Sequence, residues 1–322
     1  MKMKRTLTYT AIILALLSCT KNAPTEKRIN RYGTEASIEE LASNRLHQKR
    51  LSETDNDFHV GCEALDRGYG DYEAYKAYLE PLGIRYIRLQ AGWARCEREE
   101  GVYDFTWLDR IIDDAVSRGL RPWLQLSYGN PLYKGGGNGY SSSELPKSAE
   151  ALAAWDKWVQ AAAERYNGKV DVWEIWNEPD LKIAEGKNTA AELVNLSLRT
   201  AEILRQANPR AEIAALALAK ADVTLLQEFL TGVKKAGKLG LFDWISYHVY
   251  TYVPEQSQTE AERMRSAVAA FSNDIRLWHG ESGAPSRGRL GGALSEHDWS
   301  EVSQSKWVLR SMIGDKAHGI RT

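Results

Sequence analysis

From residue 58 onward, short apolar runs alternate with stretches of helical spacing. Runs at 58–63, 84–90, 120–127, 170–177, 211–218, 243–248 and 274–281 are rich in Ile, Val, Leu and aromatic residues and predict strands. The stretches at 71–82, 107–118, 148–166, 189–206, 222–236, 260–271 and 301–313 predict helices, with Gly83 and Gly119 closing the first two. After Glu212 the fifth run is small or apolar throughout, as expected of a parallel strand buried on both faces. Pro122 stands near the start of its run, where a strand tolerates it. Seven βα units at regular spacing predict an α/β fold with a parallel sheet. This many repeats favours a closed (β/α)8 (TIM) barrel over an open sheet. Residues 319–322 read as the first residues of an eighth strand, so the pattern predicts a barrel truncated before or within strand eight. The alternative is that an arm at 29–56 supplies the missing strand.

The first 57 residues have a different pattern. Lys2, Lys4 and Arg5 precede an apolar run, Leu7 to Leu17, that is too short to span a bilayer. Leu16-Leu17-Ser18-Cys19 resembles a bacterial lipobox. Its cysteine directly after the apolar run favours a lipoprotein over a plain secretory signal. Residues 1–18 are thus expected to be a signal peptide, Cys19 the lipidated residue, and 19–56 a polar tether and arm. Residues 57–322 would form the barrel. The expected location is an exported bacterial lipoprotein, periplasm-facing or on the cell surface, that meets the membrane through its lipid anchor only.

Length and charge narrow the picture further. The 322 residues carry a net charge of −1, which argues against nucleic acid as a partner. Eleven Trp and fifteen Tyr against five Phe favour aromatic rings with polar edges, which suit stacking on sugars as well as ordinary packing. Trp173 and Trp278 lie inside strands and are expected in the core. Cys62 and Cys96 would lie near the same end of adjacent strands, leaving open both a disulfide and a pair of buried thiols. No Cys/His cluster has zinc spacing.

The candidate chemistry lies at the C-terminal ends of the strands, where barrels of this type carry their function. Trp-Glu-Ile-Trp-Asn-Glu-Pro at 173–179 ends a strand with Glu178, preceded by Asn177 and stopped by Pro179. The seventh run ends in Glu281, followed by Ser-Gly. Two carboxylates at two strand ends suit cleavage of a glycosidic bond. The other ends supply Glu63, Arg88, Gln90, Ser127, His248 and Tyr250. Any one of these alone reads as a capping or solvated group; their agreement across many strands is the signal.

This arrangement resembles the clan of retaining glycoside hydrolases built on (β/α)8 barrels, family 39 above all, with features of family 5. Asn177-Glu178-Pro179 is similar to the clan's acid/base motif on strand four, and Glu281-Ser-Gly to its nucleophile on strand seven. His248-Val249-Tyr250 is similar to the His-x-Tyr of family 5, and Arg88 to the strand-two arginine beside the nucleophile. The resemblance covers about residues 58–322 and departs from the clan in the absent eighth strand. It implies a double displacement: Glu178 as acid then base, Glu281 as nucleophile, and Asn177 on the sugar 2-hydroxyl. Arg88 and Tyr250 would hold Glu281 ionised, and His248 would orient the acid/base or a substrate hydroxyl. Burial beside Trp176 and the second carboxylate would keep Glu178 protonated. Glu63, Trp93, Tyr128 and Asn130 are further candidates for contact with a carbohydrate. The segment 135–140 reads as a mobile rim or a plain surface loop, and Arg287 to Arg289 as a solvated loop. The implied mechanism needs no metal or organic cofactor, and the chain is expected to act as a monomer on an oligo- or polysaccharide. The competing readings are a non-catalytic glycan-binding lipoprotein and an inactive truncated remnant.

Overall fold

The computed structural model describes residues 58–140, 143–288 and 291–322. The expected signal peptide, Cys19 and the expected tether and arm lie outside the described residues. Seven parallel strands form one sheet: β1 (His59–Gly61), β2 (Tyr86–Gln90), β5 (Arg121–Leu126), β6 (Val172–Ile175), β7 (Glu212–Leu218), β8 (Trp244–His248) and β9 (Arg276–Glu281). They are paired in that order, each to the next, as a right-handed βα repeat requires. A two-stranded antiparallel ribbon, β3 (Glu97–Glu99) and β4 (Val102–Tyr103), interrupts the repeat after β2.

The sheet curls until β9 approaches β1. Residues at the chain's end lie in the seam between them. Arg321 forms a parallel bridge with Trp278, the His279 amide donates to the Arg321 carbonyl at 2.8 Å, and the His59 amide to the Thr322 carbonyl at 3.1 Å. Segment 319–322 therefore sits where an eighth strand begins, as its sequence predicts.

The helices are α1 (Lys76–Leu79), α2 (Trp93–Cys96), α3 (Thr106–Ser117), α4 (Ala149–Arg165), α5 (Pro179–Ala184), α6 (Ala190–Ala207), α7 (Val223–Lys235), α8 (Glu255–Ala269) and α9 (Glu301–Ala317). From α4 onward the long ones pack side by side around the sheet. Their starts follow capping chemistry. The Ser148 and Asp222 side chains accept amides of the first turn, while Thr189 with Glu192 and Ser300 with Ser303 form capping boxes.

Three differences from the expected elements have local causes. The helix expected over 71–82 is a 3-10 turn at Tyr72–Ala74 followed by the single turn α1, because Pro81 cannot continue it. Helix α8 begins five residues earlier than expected, because 255–259 are polar and hide the apolar period. Helices α2 and α5 and the β3–β4 ribbon are too short to show a period at all.

The cysteines are not joined. Cys62 and Cys96 are both buried and free. Cys96 lies a helical turn beyond the end of β2, and its thiol donates to the Ala91 carbonyl at 3.2 Å. Burial pushes both thiols up to about 12.

Candidate active site

Inside the sheet, side chains alternate in and out with period two. The pairing register sets Arg88 beside Trp123 and Trp123 beside Val172; one layer up, Gln90 lies beside Gln125 and Gln125 beside Glu174. The lower interior is aromatic: Tyr86, Trp123, Trp244 and Trp278 form one buried cluster, with the Trp123 and Trp278 ring centroids 4.0 Å apart. The upper interior is polar, with Arg88, Gln125, Glu174, Ser246 and His248 all fully buried. Arg88 marks the boundary, its guanidinium 5.5 Å above the Trp123 ring.

Arg88 is the hub of the site, and all five of its N–H groups have acceptors. Nε donates to Glu174 at 2.7 Å. Nη1 donates to Glu63 at 2.6 Å and to Glu281 Oε2 at 2.9 Å. Nη2 lies 3.2 Å from both Asn177 Oδ1 and His248 Nε2. A guanidinium has five N–H groups and no acceptor, so Nε2 of His248 must be the acceptor. The ring proton then sits on Nδ1, which points at Glu178 Oε1 (3.2 Å) and lies 3.7 Å from Glu281 Oε2.

The strand ends are shaped to aim these groups. Trp176 and Glu178 both have left-handed backbones, φ 67° and 49°, on either side of Asn177. Such conformations cost on the order of 1–3 kcal/mol each and cluster at functional sites. A bulge in β7, where Leu216 and Ala217 also have positive φ, presents the Ala217 carbonyl to the Glu178 amide at 2.9 Å. Pro179 then opens α5 at its first turn, where its missing N–H is no loss.

The two carboxylates converge. Glu178, His248 and Glu281 each place one oxygen or nitrogen within 4.8 Å of the others. With Arg88 bonded to both Glu281 and the histidine, a cation between them would be opposed, so the trio reads as a carboxylate pair with a bridging imidazole. The Glu178 and Glu281 side chains remain 19% and 22% exposed, within reach of solvent. Burial pushes the Glu281 carboxyl up. The Nδ1–H of His248, the charge of Arg88 and the Tyr250 hydroxyl, which donates to Oε1 at 2.7 Å, outweigh it and hold Glu281 below its ordinary value. Burial pushes His248 down, but the Glu281 charge and the Glu178 hydrogen bond hold it above its ordinary value. Glu63 is raised to about 7 by burial first and by Glu281 second, against the pull of Arg88.

Other expected contacts are placed differently. Trp93 is not a sugar platform: it is wholly buried, stacked on Tyr133 and Trp158, and its Nε1 donates to Glu97 at 2.5 Å. Asn130 is engaged elsewhere: its Nδ2 donates to the Glu97 carbonyl of β3 at 2.9 Å, and its Oδ1 accepts from the Leu132 amide at 3.1 Å. Trp176 packs on Trp155 of α4. Tyr128 lies beside the site: Gln90 donates to its hydroxyl at 2.7 Å, and Arg67 stacks over its ring. The glycines of 135–140 allow close backbone approach; a Cβ on Gly137 would overlap the Glu144 carbonyl. Arg287 is exposed, and Arg289 lies outside the described residues. Trp173 and Trp278 are buried in the core.

Sequence reasoning missed Glu174 and Gln125. Both donor amide and carboxylate are wholly buried, with Gln125 Nε2 bridging Glu174 (2.9 Å) and Asn177 (2.9 Å). The available signal was parity: a charged residue at an inward position of a buried strand needs a partner, and Arg88 is the inward cation two strands away.

The model for glycosyl hydrolases family 39 matches residues 60–276. A β-xylosidase of Geobacillus stearothermophilus is 25% identical over 212 residues, which cover 58% of this chain and 40% of that protein. Among solved structures, a monomeric β-xylosidase from Caulobacter crescentus superposes with a TM-score of 0.57 at 21% identity, covering 73% of this chain and 53% of that one. A family 39 glycoside hydrolase from the gut symbiont Bacteroides cellulosilyticus gives a TM-score of 0.62 at 16% identity, with 81% and 54% covered. The chain thus spans about half the length of these proteins, or less. The family match stops at Arg276, short of Glu281.

Proposed function

The chain belongs to glycosyl hydrolases family 39, and from that premise we propose that it is a retaining glycosidase with Glu178 as acid/base and Glu281 as nucleophile. The observation that carries this reading is the close approach of the two carboxylates, oxygen to oxygen within 4.8 Å. Retaining enzymes separate their carboxyl groups by about 5–5.5 Å, and inverting enzymes leave about 6.5–9.5 Å for a water.

The roles follow from the hydrogen bonds. Glu281 is fixed at one oxygen by Arg88 and at the other by Tyr250. It attacks the anomeric carbon as the bond to the leaving oxygen breaks, and Glu178 delivers the proton to that oxygen. Water, deprotonated by Glu178, then attacks the glycosyl ester from the same side and frees Glu281. Asn177, oriented by Arg88 and Gln125, faces the sugar beside both groups. His248 Nδ1–H lies between the two carboxylates and couples their charge states.

The relatives' names make an aryl β-D-xyloside the first substrate to test. Glu281→Gln should lower turnover by at least about a thousandfold. Glu178→Ala should do the same for poor leaving groups, and azide should restore part of the rate for good ones. Full activity of the Glu281 variant overturns the assignment. We also propose export and lipidation at Cys19; loss of membrane-bound protein and of lipid label in Cys19→Ser tests it.

A further inference from the structure

Glu63 follows β1 and is absent from the double displacement just described, yet it touches the same guanidinium nitrogen as the nucleophile. Arg88 Nη1 has two hydrogens: one goes to Glu63 Oε1 at 2.6 Å, the other to Glu281 Oε2 at 2.9 Å. No further N–H remains on Arg88, and its one charge faces three carboxylates, those of Glu63, Glu174 and Glu281. The Glu63 side chain is folded back over its own strand. A Cβ on Gly61 would overlap both carboxylate oxygens, so the bare glycine makes the space it occupies. Its other neighbours are Cys62 and Tyr75, both of which feel its charge, and Tyr250, which donates to the far oxygen of Glu281.

We propose that Glu63 is a positioning residue for the nucleophile: through Arg88 its charge sets the reactivity of Glu281, and it releases a proton when Glu281 becomes esterified. The inference rests on Glu281 being the nucleophile.

The argument is electrostatic linkage. An ionised Glu281 favours the neutral form of Glu63, which is held near 7 by burial and by that charge. Attack on the anomeric carbon consumes the negative charge of Glu281 as the new C–O bond forms and the old one breaks. The reason for Glu63 to stay protonated then weakens, and its proton leaves to solvent. Reciprocity follows. If esterification of Glu281 favours ionised Glu63, ionised Glu63 favours esterification, because attack relieves the repulsion between two carboxylates on one N–H2 group. Glycosylation by a substrate that needs no proton should therefore speed up as pH rises through about 7.

The test uses 2,4-dinitrophenyl 2-deoxy-2-fluoro-β-glycosides of the xylo, galacto and gluco series, which trap the nucleophile and leave as a phenolate. The protein is the full chain carrying Glu178→Gln, so that the acid/base carboxyl cannot titrate. The labelling rate constant is expected to rise about tenfold between pH 6 and 8, the effect of one unit of coupling. Adding Glu63→Gln should flatten the profile, and Glu63→Asp should restore a step at a shifted pH. In weakly buffered solution at pH 6.5, labelling should release a fraction of a proton, and the Glu63→Gln variant should release none. A step that survives in Glu63→Gln belongs to His248 and overturns the proposal, as does a flat profile with Glu63 present. Labelling of a residue other than Glu281 overturns the nucleophile assignment, and the inference falls with it.

Discussion

Arg88 and Arg321 lie in opposite halves of the barrel interior, and they are held by different physics. Arg88, in the upper half, is fully buried with every N–H directed at an oxygen or nitrogen acceptor. Arg321, in the lower half, sits against π faces: its guanidinium lies 4.2 Å from the Trp244 ring, 4.5 Å from Trp278 and 5.4 Å from Tyr86, with Glu212 at 3.1 Å as its ion-pair partner. Cation–π contacts tolerate sideways shifts of the charge, whereas five directed hydrogen bonds fix a plane. The lower half plugs the barrel, and the upper half orients two carboxylates.

The sharpest test of that division is Arg88→Met. It leaves Glu174 buried without its cation and removes one clamp from Glu281. Stability should fall by about 3–5 kcal/mol, the usual result of removing one partner of a buried pair. The folded fraction should lose about a thousandfold in kcat. Arg88→Lys should fare little better, because an ammonium cannot supply five N–H groups in one plane. If Arg88→Lys kept activity, the network would be a pool of charge and the planar geometry irrelevant.

Next in size is Glu174→Gln. The side chain keeps its volume but loses its charge, so the Arg88 Nε bond weakens. About 1–3 kcal/mol should be lost in urea unfolding, and kcat should fall by less than in the Arg88 variants. An unchanged kcat would mean that the floor of the site does not hold its roof.

Arg321→Ala addresses the lower half. About 1–2 kcal/mol should be lost with the cation–π contacts, while activity per folded molecule stays the same. A matching loss of kcat would show that the two halves are coupled through Trp123, whose ring lies under Arg88.

The difference between the halves also explains what could be read from the chain. Strand bodies announce themselves by apolar residues, so the seven strands and the carboxylates at their tips were visible as pattern. Glu174 was not, because it interrupts an apolar run and looks like a solvated position until the parity of β6 turns it inward beside Gln125. Trp93 misled for the converse reason. It follows the end of β2, where a sugar platform is expected, but a left-handed Gly92 starts α2 there and turns the ring into the outer core. Loop length and composition carry no signal for that turn of direction. The cysteines show the same limit, since sequence position placed both near strand ends and only α2 separates them.

The smallest expected effect lies at the seam. His59, on β1, crosses to β9: its Nε2 lies 3.1 Å from the Gly280 carbonyl, and its Nδ1 accepts from Trp278 Nε1 at 3.4 Å. The contact with Trp278 requires a neutral ring, since a proton on Nδ1 would face the indole N–H. Burial first, then the charge of Arg88, outweigh the Gly280 hydrogen bond and lower the pKa from 6.5 to about 3. Between those values the unfolded chain binds a proton that the native ring refuses. Stability therefore falls as pH drops through that window, by at most about 1.4 kcal/mol per pH unit; the ring is only partly buried, so the slope should be smaller. Glu63 acts in the opposite sense: its folded value near 7 lies above the ordinary 4.5, so its contribution is lost as pH rises. The two would cancel in part in the wild type, and only a difference isolates the histidine. The stability gap between wild type and His59→Gln should narrow by about 1 kcal/mol from pH 6.5 to pH 5. A gap that stays constant would mean that the ring is solvated in the seam and that contacts other than the imidazole hold β1 against β9.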